Sequence, residues 1–347
     1  MPLPRLTKNM LEQAVIIDEL RGNLEHTVAA LDDEKKRTGK LVDAVYRAAH
    51  AASLTFEYTP PAPPEMDGRD QTAEVACIFM SDWQLGKKTP TYDSDVCAAR
   101  IRQYVDIARR IVDDRRTSRP VRDVHLFCLG DMIEGELIFP GQAHRIDASL
   151  FRQVCVYGPE ILLGLVLDLL AMFDNVYVHW VKGNHGDIGG RGRREMHPES
   201  NADAMLYEIV KARLEGEPRV KCDPTYVENE GLWYSVSEAA GYGFLIFHGY
   251  QTQGQNVLGY PQYAMGKKVM GWASGAVPEH FDYSISAHYH TPFRFNVGRL
   301  THWGNGTTES SNTFAQESLA AISRPSQWLF FVHPGLGVVA EHEVRLT

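Results

Sequence analysis

The sequence has no basic surplus. Among its 347 residues, 35 Lys and Arg are set against 44 Asp and Glu, giving a formal net charge of −9. A protein that coats polyanion by bulk neutralisation needs an excess of cations, so any dealing with nucleic acid must come from a local site. Cysteine is also scarce. The five residues Cys77, Cys97, Cys128, Cys155 and Cys222 lie at least 20 positions apart, which provides neither a C-x-x-C metal knuckle nor a disulfide framework. They are read as reduced and mostly buried. A long apolar run is missing too. Arg5, Lys8, Glu12, Asp18 and Glu19 break up the amino terminus, and no run reaches the roughly 18 residues that span a bilayer. The expectation is a cytoplasmic protein with no membrane partner. What is present, 44% hydrophobic and 23% charged residues, is ordinary globular composition.

Three regions follow along the chain. Residues 1–58 read as a helical segment, with Ile17, Leu20, Leu24, Val28 and Leu31 at steps of three and four. It can pack on its own protein or self-associate as a short coiled coil, making a homo-oligomer. Residues 59–73 are rich in proline and read as a semi-rigid linker. From 74 to 347 short β-rich runs alternate with helical ones: strands over 75–80, 124–130 and 176–183, and helices near 95–115, 151–173 and 199–214. That is a βαβ layout. Beyond about residue 220 the pattern reads as hairpins, turning at Gly241-Tyr242-Gly243, Gly298 and Pro334-Gly335.

Eight of the 14 histidines fall between His179 and His302, and the polar residues of interest follow predicted strands, where α/β folds place their sites. Ser81-Asp82-Trp83-Gln84, Gly130-Asp131-Met132-Ile133-Glu134, Gly183-Asn184-His185-Gly186-Asp187, Phe247-His248-Gly249 and Ala287-His288-Tyr289-His290 are these positions. Singly, each has a plain reading: Asp82 or Asp131 as a turn or cap residue, Asn184 as a left-handed turn, His248 as a core histidine. His288 and His290, two apart on an expected strand, would face the same side. Jointly, two Asp, one Asn and three His beyond apolar strands match the oxygen and nitrogen donors of a two-metal hydrolytic site.

In order and spacing these motifs resemble the calcineurin-like metallophosphoesterase superfamily over about residues 74–300, with a further likeness to phage-type members near the DNA-repair exonuclease branch in Asn305-Gly306-Thr307-Thr308 and the closing hairpin. The resemblance implies a four-layer αββα sandwich and two divalent metal ions. Asp82, Gln84, Asp131 and His290 would hold the first ion, and Asp131, Asn184, His248 and His288 the second. It also implies that His185 is a catalytic non-ligand. Three positions depart from the pattern: Gln84 replaces a usual His, Ala287 a usual Gly, and the carboxylate after the third motif arrives one residue late, at Asp187, a catalytic candidate whose ability to orient His185 the sequence leaves open. An amide oxygen is a weaker ligand than imidazole. With nitrogen and oxygen donors and no thiolate, Mn²⁺ is the first choice, with Fe, Ni or Zn as alternatives.

Substrate signals come from Arg191, Arg193 and Arg194 in a glycine-rich loop, read as a phosphate grip or a solvated loop. His144 and Arg145 follow the second motif, and Trp83, with Tyr250 and Tyr289, can stack bases or wall the pocket. The leading expectation is a nuclease acting on DNA or another nucleic acid, in the host cytoplasm if phage-encoded. Its rivals are a small-molecule phosphoesterase, such as a nucleotide phosphatase or cyclic-nucleotide phosphodiesterase, and a non-catalytic scaffold of the same fold.

Overall fold

The computed structural model describes residues 58–347 apart from 66, 140, 189–199, 227, 230, 232, 254–258 and 311–323, together with a few positions before 58. The chain forms two units, Met1–Arg47 and Ala48–Thr347. Of the expected helical segment only Gly22, Ala29, Lys40, Ala44, Arg47 and Ala51 are described, all helical, so its self-association lies outside the described residues.

The larger unit is a four-layer αββα sandwich. Its first sheet has six strands in the order β11-β10-β1-β2-β3-β4. The strands are β1 (Glu74–Met80), β2 (Val121–Cys128), β3 (Asn175–Trp180), β4 (Val220–Cys222), β10 (Ser326–His333) and β11 (Gly337–Arg345). β1 to β4 run parallel, while β10 and β11 add an antiparallel edge. The second sheet, ordered β5-β6-β7-β9-β8, contains β5 (Tyr234–Ala239), β6 (Tyr242–Phe247), β7 (Tyr283–Ser286), β8 (Phe293–Val297) and β9 (Leu300–Gly304).

Period-two alternation divides the first sheet's side chains between two layers. Cys77, Phe79, Phe127, Leu129, Phe330 and Val332 point to the second sheet and pack with Phe244, Ile246, Ile285 and Trp303. Phe79 sits at the centre, 4.9 Å from the Phe127 ring, 4.8 Å from Phe330 and 6.4 Å from Phe244. On the other face lie α1 (Ser94–Arg116), α2 (Gly158–Leu170) and α3 (Ala202–Leu214). Asp93 caps α1 by accepting the Val96 N–H at 3.0 Å, and its buried Cys97, Ile101, Tyr104, Val105, Ala108 and Val112 follow helical spacing. α4 (Gln262–Gly271) covers the outer face of the second sheet through Val269, against Leu245, Phe247 and Leu300.

Two sequence readings change here. The three turns expected after 220 do close antiparallel hairpins, β5 with β6, β8 with β9 and β10 with β11, but the hairpins are not strung edge to edge: β6, β7 and β9 are mutually parallel. Parallel neighbours need a crossover, and α4 occupies the one between β6 and β7. The continuous helical stretch Leu150–Leu170 is also long and apolar enough by length and composition to cross a membrane, but 61% of it is buried inside the fold, where α2 packs among α1, α3 and β3. It is a core helix.

The proline-rich segment is extended and pinned at the amino ends of the parallel strands. Arg219 donates to the Pro61 carbonyl at 2.6 Å and Arg122 to that of Asp67 at 2.6 Å. Arg69 pairs with Asp67 and donates to the Arg116 carbonyl, each at 2.6 Å.

Because Phe79 is fully buried among three aromatic rings, Phe79→Ala should lower unfolding free energy by about 3–5 kcal/mol. Urea denaturation followed by circular dichroism checks this. A loss below about 1 kcal/mol would mean that the inter-sheet layer is not the dominant core.

Candidate metal centre

The parallel registers decide where the site forms. Met80 pairs with Cys128, and Cys128 with Trp180, so the loops after β1, β2 and β3 emerge side by side. In the second sheet the ends of β6, β7 and β9 align in the same way. The first loops are zipped by backbone bonds: Asp82 N to Gly130 O at 3.0 Å, Gln84 N to Asp131 O at 2.9 Å and Leu85 N to Met132 O at 3.0 Å. Gly130 and Gly183 let two chain segments touch. A Cβ on Gly183 would stand 2.0 Å from Asp131 Oδ1, and one on Gly130 would stand 2.4 Å from the Gly183 nitrogen.

Six non-glycine residues among those described have positive φ, and five are candidate ligands: Asp82 (49°), Gln84 (45°), Asp131 (51°), His288 (72°) and His290 (56°). The left-handed region costs an L-residue roughly 1–2 kcal/mol. It is used here to turn the chain sharply off each strand. His288 and His290 therefore do not share a strand face as expected, because β7 ends at Ser286 and both rings leave a turn. His288 goes to Asp131 and His248, whereas His290 goes to Asp82, with Nε2 3.3 Å from Oδ1.

Asp131, His248 and His288 offer ligand atoms all within 4.8 Å of one another. Asp131 Oδ1 accepts the His185 N–H at 2.7 Å, while Oδ2 lies 3.0 Å from His248 Nε2 and makes no hydrogen bond. His248 Nδ1 donates to the Leu129 carbonyl at 2.7 Å, which fixes the tautomer and turns Nε2 inward. Burial opposes charge on His248, but Asp131 outweighs it and carries the pKa up to about 9. Burial and then His248 push His288 down to about 3, leaving it a neutral donor. Burial works to raise the Asp131 pKa, yet His248 and His185 hold it well below the usual carboxylate range.

Asp82 Oδ1, Asp131 Oδ2, Asn184 Oδ1 and His248 Nε2 are all buried without a hydrogen-bond partner. Each such group costs about 1–3 kcal/mol if left unsatisfied. Two of them, with the neutral His288, belong to the cluster Asp131, His248 and His288, whose nitrogen and oxygen donors suit a divalent ion; Asn184 Oδ1 is a further buried, unpartnered oxygen on the turn whose Gly183 and His185 meet Asp131. The other set fits poorly. Gln84 Oε1 accepts from Lys87 Nζ at 2.8 Å and Gln84 Nε2 meets His290 Nε2 at 3.0 Å. Lys87 also pairs with Glu309 at 2.7 Å, and His290 Nδ1 lies 3.3 Å from Glu309 Oε2. His290 and Lys87 together hold Glu309 down to about 2, against its burial.

His185 stands beside this centre with its side chain 18% exposed, and its Nδ1 is 3.0 Å from Glu134 Oε2. Glu134 is buried and receives Gln142 Nε2 at 3.0 Å. Burial disfavours charge on His185, but Asp131 and Glu134 raise its pKa to about 9. Asp187 is not its partner, correcting the sequence reading. Its Oδ1 accepts Lys182 Nζ and Asn201 Nδ2, both at 2.9 Å, so Glu134 holds the orienting position instead. Trp83 is 0% exposed and cannot stack a base. Tyr289 is tied to the Thr252 carbonyl at 2.5 Å, and Tyr250 is half-buried. His144 and Arg145 are exposed around the short 3₁₀ turn Gln142–His144, and Arg191, Arg193 and Arg194 lie outside the described residues.

Sequence reasoning passed over four residues. Glu134 was visible in the second motif but had no assigned task, while Lys87 and Glu309 carried no local signal. Asp203, fully buried at the start of α3, accepts the N–H groups of Asp131 and Gly183 at 2.8 Å and of Ile133 at 3.1 Å. Burial, then the Asp131 charge, push its pKa up to about 6 against those donors. Its only sequence cue was the Asn201 cap, which accepts from the Asp203 and Ala204 N–H groups at 2.9 and 3.2 Å.

No protein-family model and no curated protein matches the sequence. Among solved structures, an archaeal phosphodiesterase is 13% identical with a TM-score of 0.35, covering 78% of this chain and 99% of its own. Vacuolar protein sorting 29 from Cryptosporidium parvum is 12% identical with a TM-score of 0.35, covering 78% and 98%. A conserved protein from Streptococcus pneumoniae, described as a predicted phosphoesterase, is 14% identical with a TM-score of 0.29, covering 79% and 99%.

Mn²⁺ at one hundred times its Kd should stabilise the protein by about 2.7 kcal/mol, and EDTA should reverse the shift. His248→Ala and His288→Ala should each abolish the response. Melting temperature followed by intrinsic fluorescence reads all three, and no shift at any Mn²⁺ concentration would contradict metal binding.

Proposed function

We propose that the protein is a metal-dependent phosphoesterase that hydrolyses phosphodiester bonds, with nucleic acid, DNA first, as its substrate. The observation that carries this reading is the cluster of Asp131, His248 and His288, with buried, unpartnered atoms on Asp131, His248 and the neighbouring Asn184, beside an imidazole with one edge open, His185.

Phosphodiesters resist hydrolysis because their anionic oxygens repel an attacking hydroxide. A divalent ion held by Asp131, Asn184, His248 and His288 would supply Lewis-acid charge against those oxygens and make water acidic enough to attack near neutral pH. The chain's own groups do the rest. Asn184 and His288 are neutral ligands, and His248 would join them on giving up its Nε2 proton to make room for the ion, so together they would leave the ion's charge largely unquenched. Glu134 engages His185 Nδ1, which leaves Nε2 to face the substrate. As water attacks phosphorus and the bond to the leaving oxygen breaks, the His185 Nε2 proton passes to that oxygen, and the proton released by the attacking water goes to solvent, from which His185 is recharged. Asp203 holds the Asp131 and Gly183 amides still, which keeps the Asp131 carboxylate and Asn184 in fixed register.

The case for a polymer rests on the layout. Among the described residues the connections between the ligand-bearing strands hold α1 to α4 and the stretch 129–157 with its short helical turns, and no separate cap element is found among them. Small nucleotide esters and loss of catalysis remain the competing outcomes.

With Mn²⁺ present, the protein should cleave end-labelled single- or double-stranded DNA, and Asp131→Asn should be inactive. Turnover of small mono- or diesters without cleavage of DNA or RNA would overturn the substrate class; no turnover of any ester would overturn the enzyme. Glu134→Gln should lower kcat/KM about 10- to 100-fold, as loss of a group that orients a site residue does, while leaving Mn²⁺ affinity intact. An equal fall in metal affinity would place Glu134 in the metal site instead.

A further inference from the structure

This inference rests on the metal-dependent reading above and concerns how many cations the centre takes. Lysine is a donor only, so Gln84 must present its carbonyl oxygen to Lys87 Nζ, at 2.8 Å. The amide nitrogen therefore faces His290 Nε2, at 3.0 Å. That nitrogen's lone pair is delocalised into its carbonyl, so it donates a hydrogen bond and ligates no cation. His290 Nε2 is thereby engaged between Gln84 and Asp82 Oδ1, the latter at 3.3 Å, and its Nδ1 edge turns to Glu309, at 3.3 Å. Glu309 closes the circuit by pairing with Lys87 at 2.7 Å. With the Lys87 side chain only 15% exposed and that of Glu309 1%, the ammonium is a fixed charge of the centre.

Of the side chains expected to bind a first ion, Gln84 and His290 are thus committed, and Asp131 is shared with the other set. Asp82 Oδ1 is left. A single carboxylate oxygen that already faces His290, in a centre that also holds a fixed ammonium, is a poor divalent site, since that positive charge repels the ion that the oxygen would attract. We propose that Lys87 stands in place of the first ion. The centre binds one divalent cation, through Asp131, Asn184, His248 and His288, and the Lys87 ammonium provides its second positive charge.

Manganese binding to the full chain tests this, with bound ion counted by equilibrium dialysis and elemental analysis and the electron paramagnetic resonance spectrum recorded alongside. The wild-type protein should bind one equivalent and give a six-line mononuclear signal. Lys87→Met frees Gln84 Oε1 and Glu309 and should take up a second equivalent, with the six-line signal lost to exchange coupling. Lys87→Gln serves the same purpose if the Met variant does not fold. Two equivalents of similar affinity in the wild type would overturn the proposal while leaving the metal-dependent reading intact. One equivalent in both wild type and variant would show that Lys87 is not what excludes the second ion. Zero equivalents in the wild type would remove the metal reading itself.

Discussion

The position of a single carboxylate governs the site. Asp131 follows β2 where the chain turns into a left-handed conformation, and all of its groups but one are committed. Its N–H goes to Asp203, its carbonyl to Gln84 N, and its Oδ1 to His185 N. Those bonds require Gly130 and Gly183 to meet without side chains. Once they do, Oδ2 is left pointing at His248 with no donor of its own. The first-motif loop, the Asn184 turn and the α3 amino terminus are all positioned from this residue, so the two sheets share one reference point.

Much of this was legible in the sequence, because apolar alternation and helical spacing are local. β1, β2 and β3 and the helices between them lie where the pattern puts them, and Asp82, Asp131, Asn184, His248 and His288 follow strands as read. What was not legible depends on long-range pairing. Whether YSISAHYH returns antiparallel or crosses over through a helix is decided by α4 packing against Leu245 and Phe247, and no local residue announces it. Glu134 and Asp187 are both acids near His185 in sequence. Only the fold shows that Asp187 is claimed by Lys182 and Asn201. Lys87 and Glu309 are 222 positions apart in sequence and touch because β1 and β9 end on the same side of the sandwich.

The acidic balance of the chain also takes on a local meaning. Asp82, Asp131, Glu134, Asp203 and Glu309 are all 0–2% exposed, a concentration of buried carboxylates that a fold tolerates only with partners. Glu134 has His185 and Gln142, Asp203 has three backbone N–H groups, and Glu309 has Lys87 and His290. The unpartnered Oδ1 of Asp82 and Oδ2 of Asp131 are the residue of that accounting, and they are oxygens that attract cations.

The left-handed backbone at Asp82, Gln84, Asp131, His288 and His290 bears on how this protein can change over time. At these positions glycine relieves backbone strain that the side chains present must bear, so backbone preference and the donors the site needs pull in opposite directions. Stability and chemistry are therefore opposed residue by residue. A lineage drifting toward sturdiness would lose the centre first, and selection for the centre must tolerate a less stable scaffold. The large aromatic layer around Phe79 is the reserve that makes such tolerance feasible.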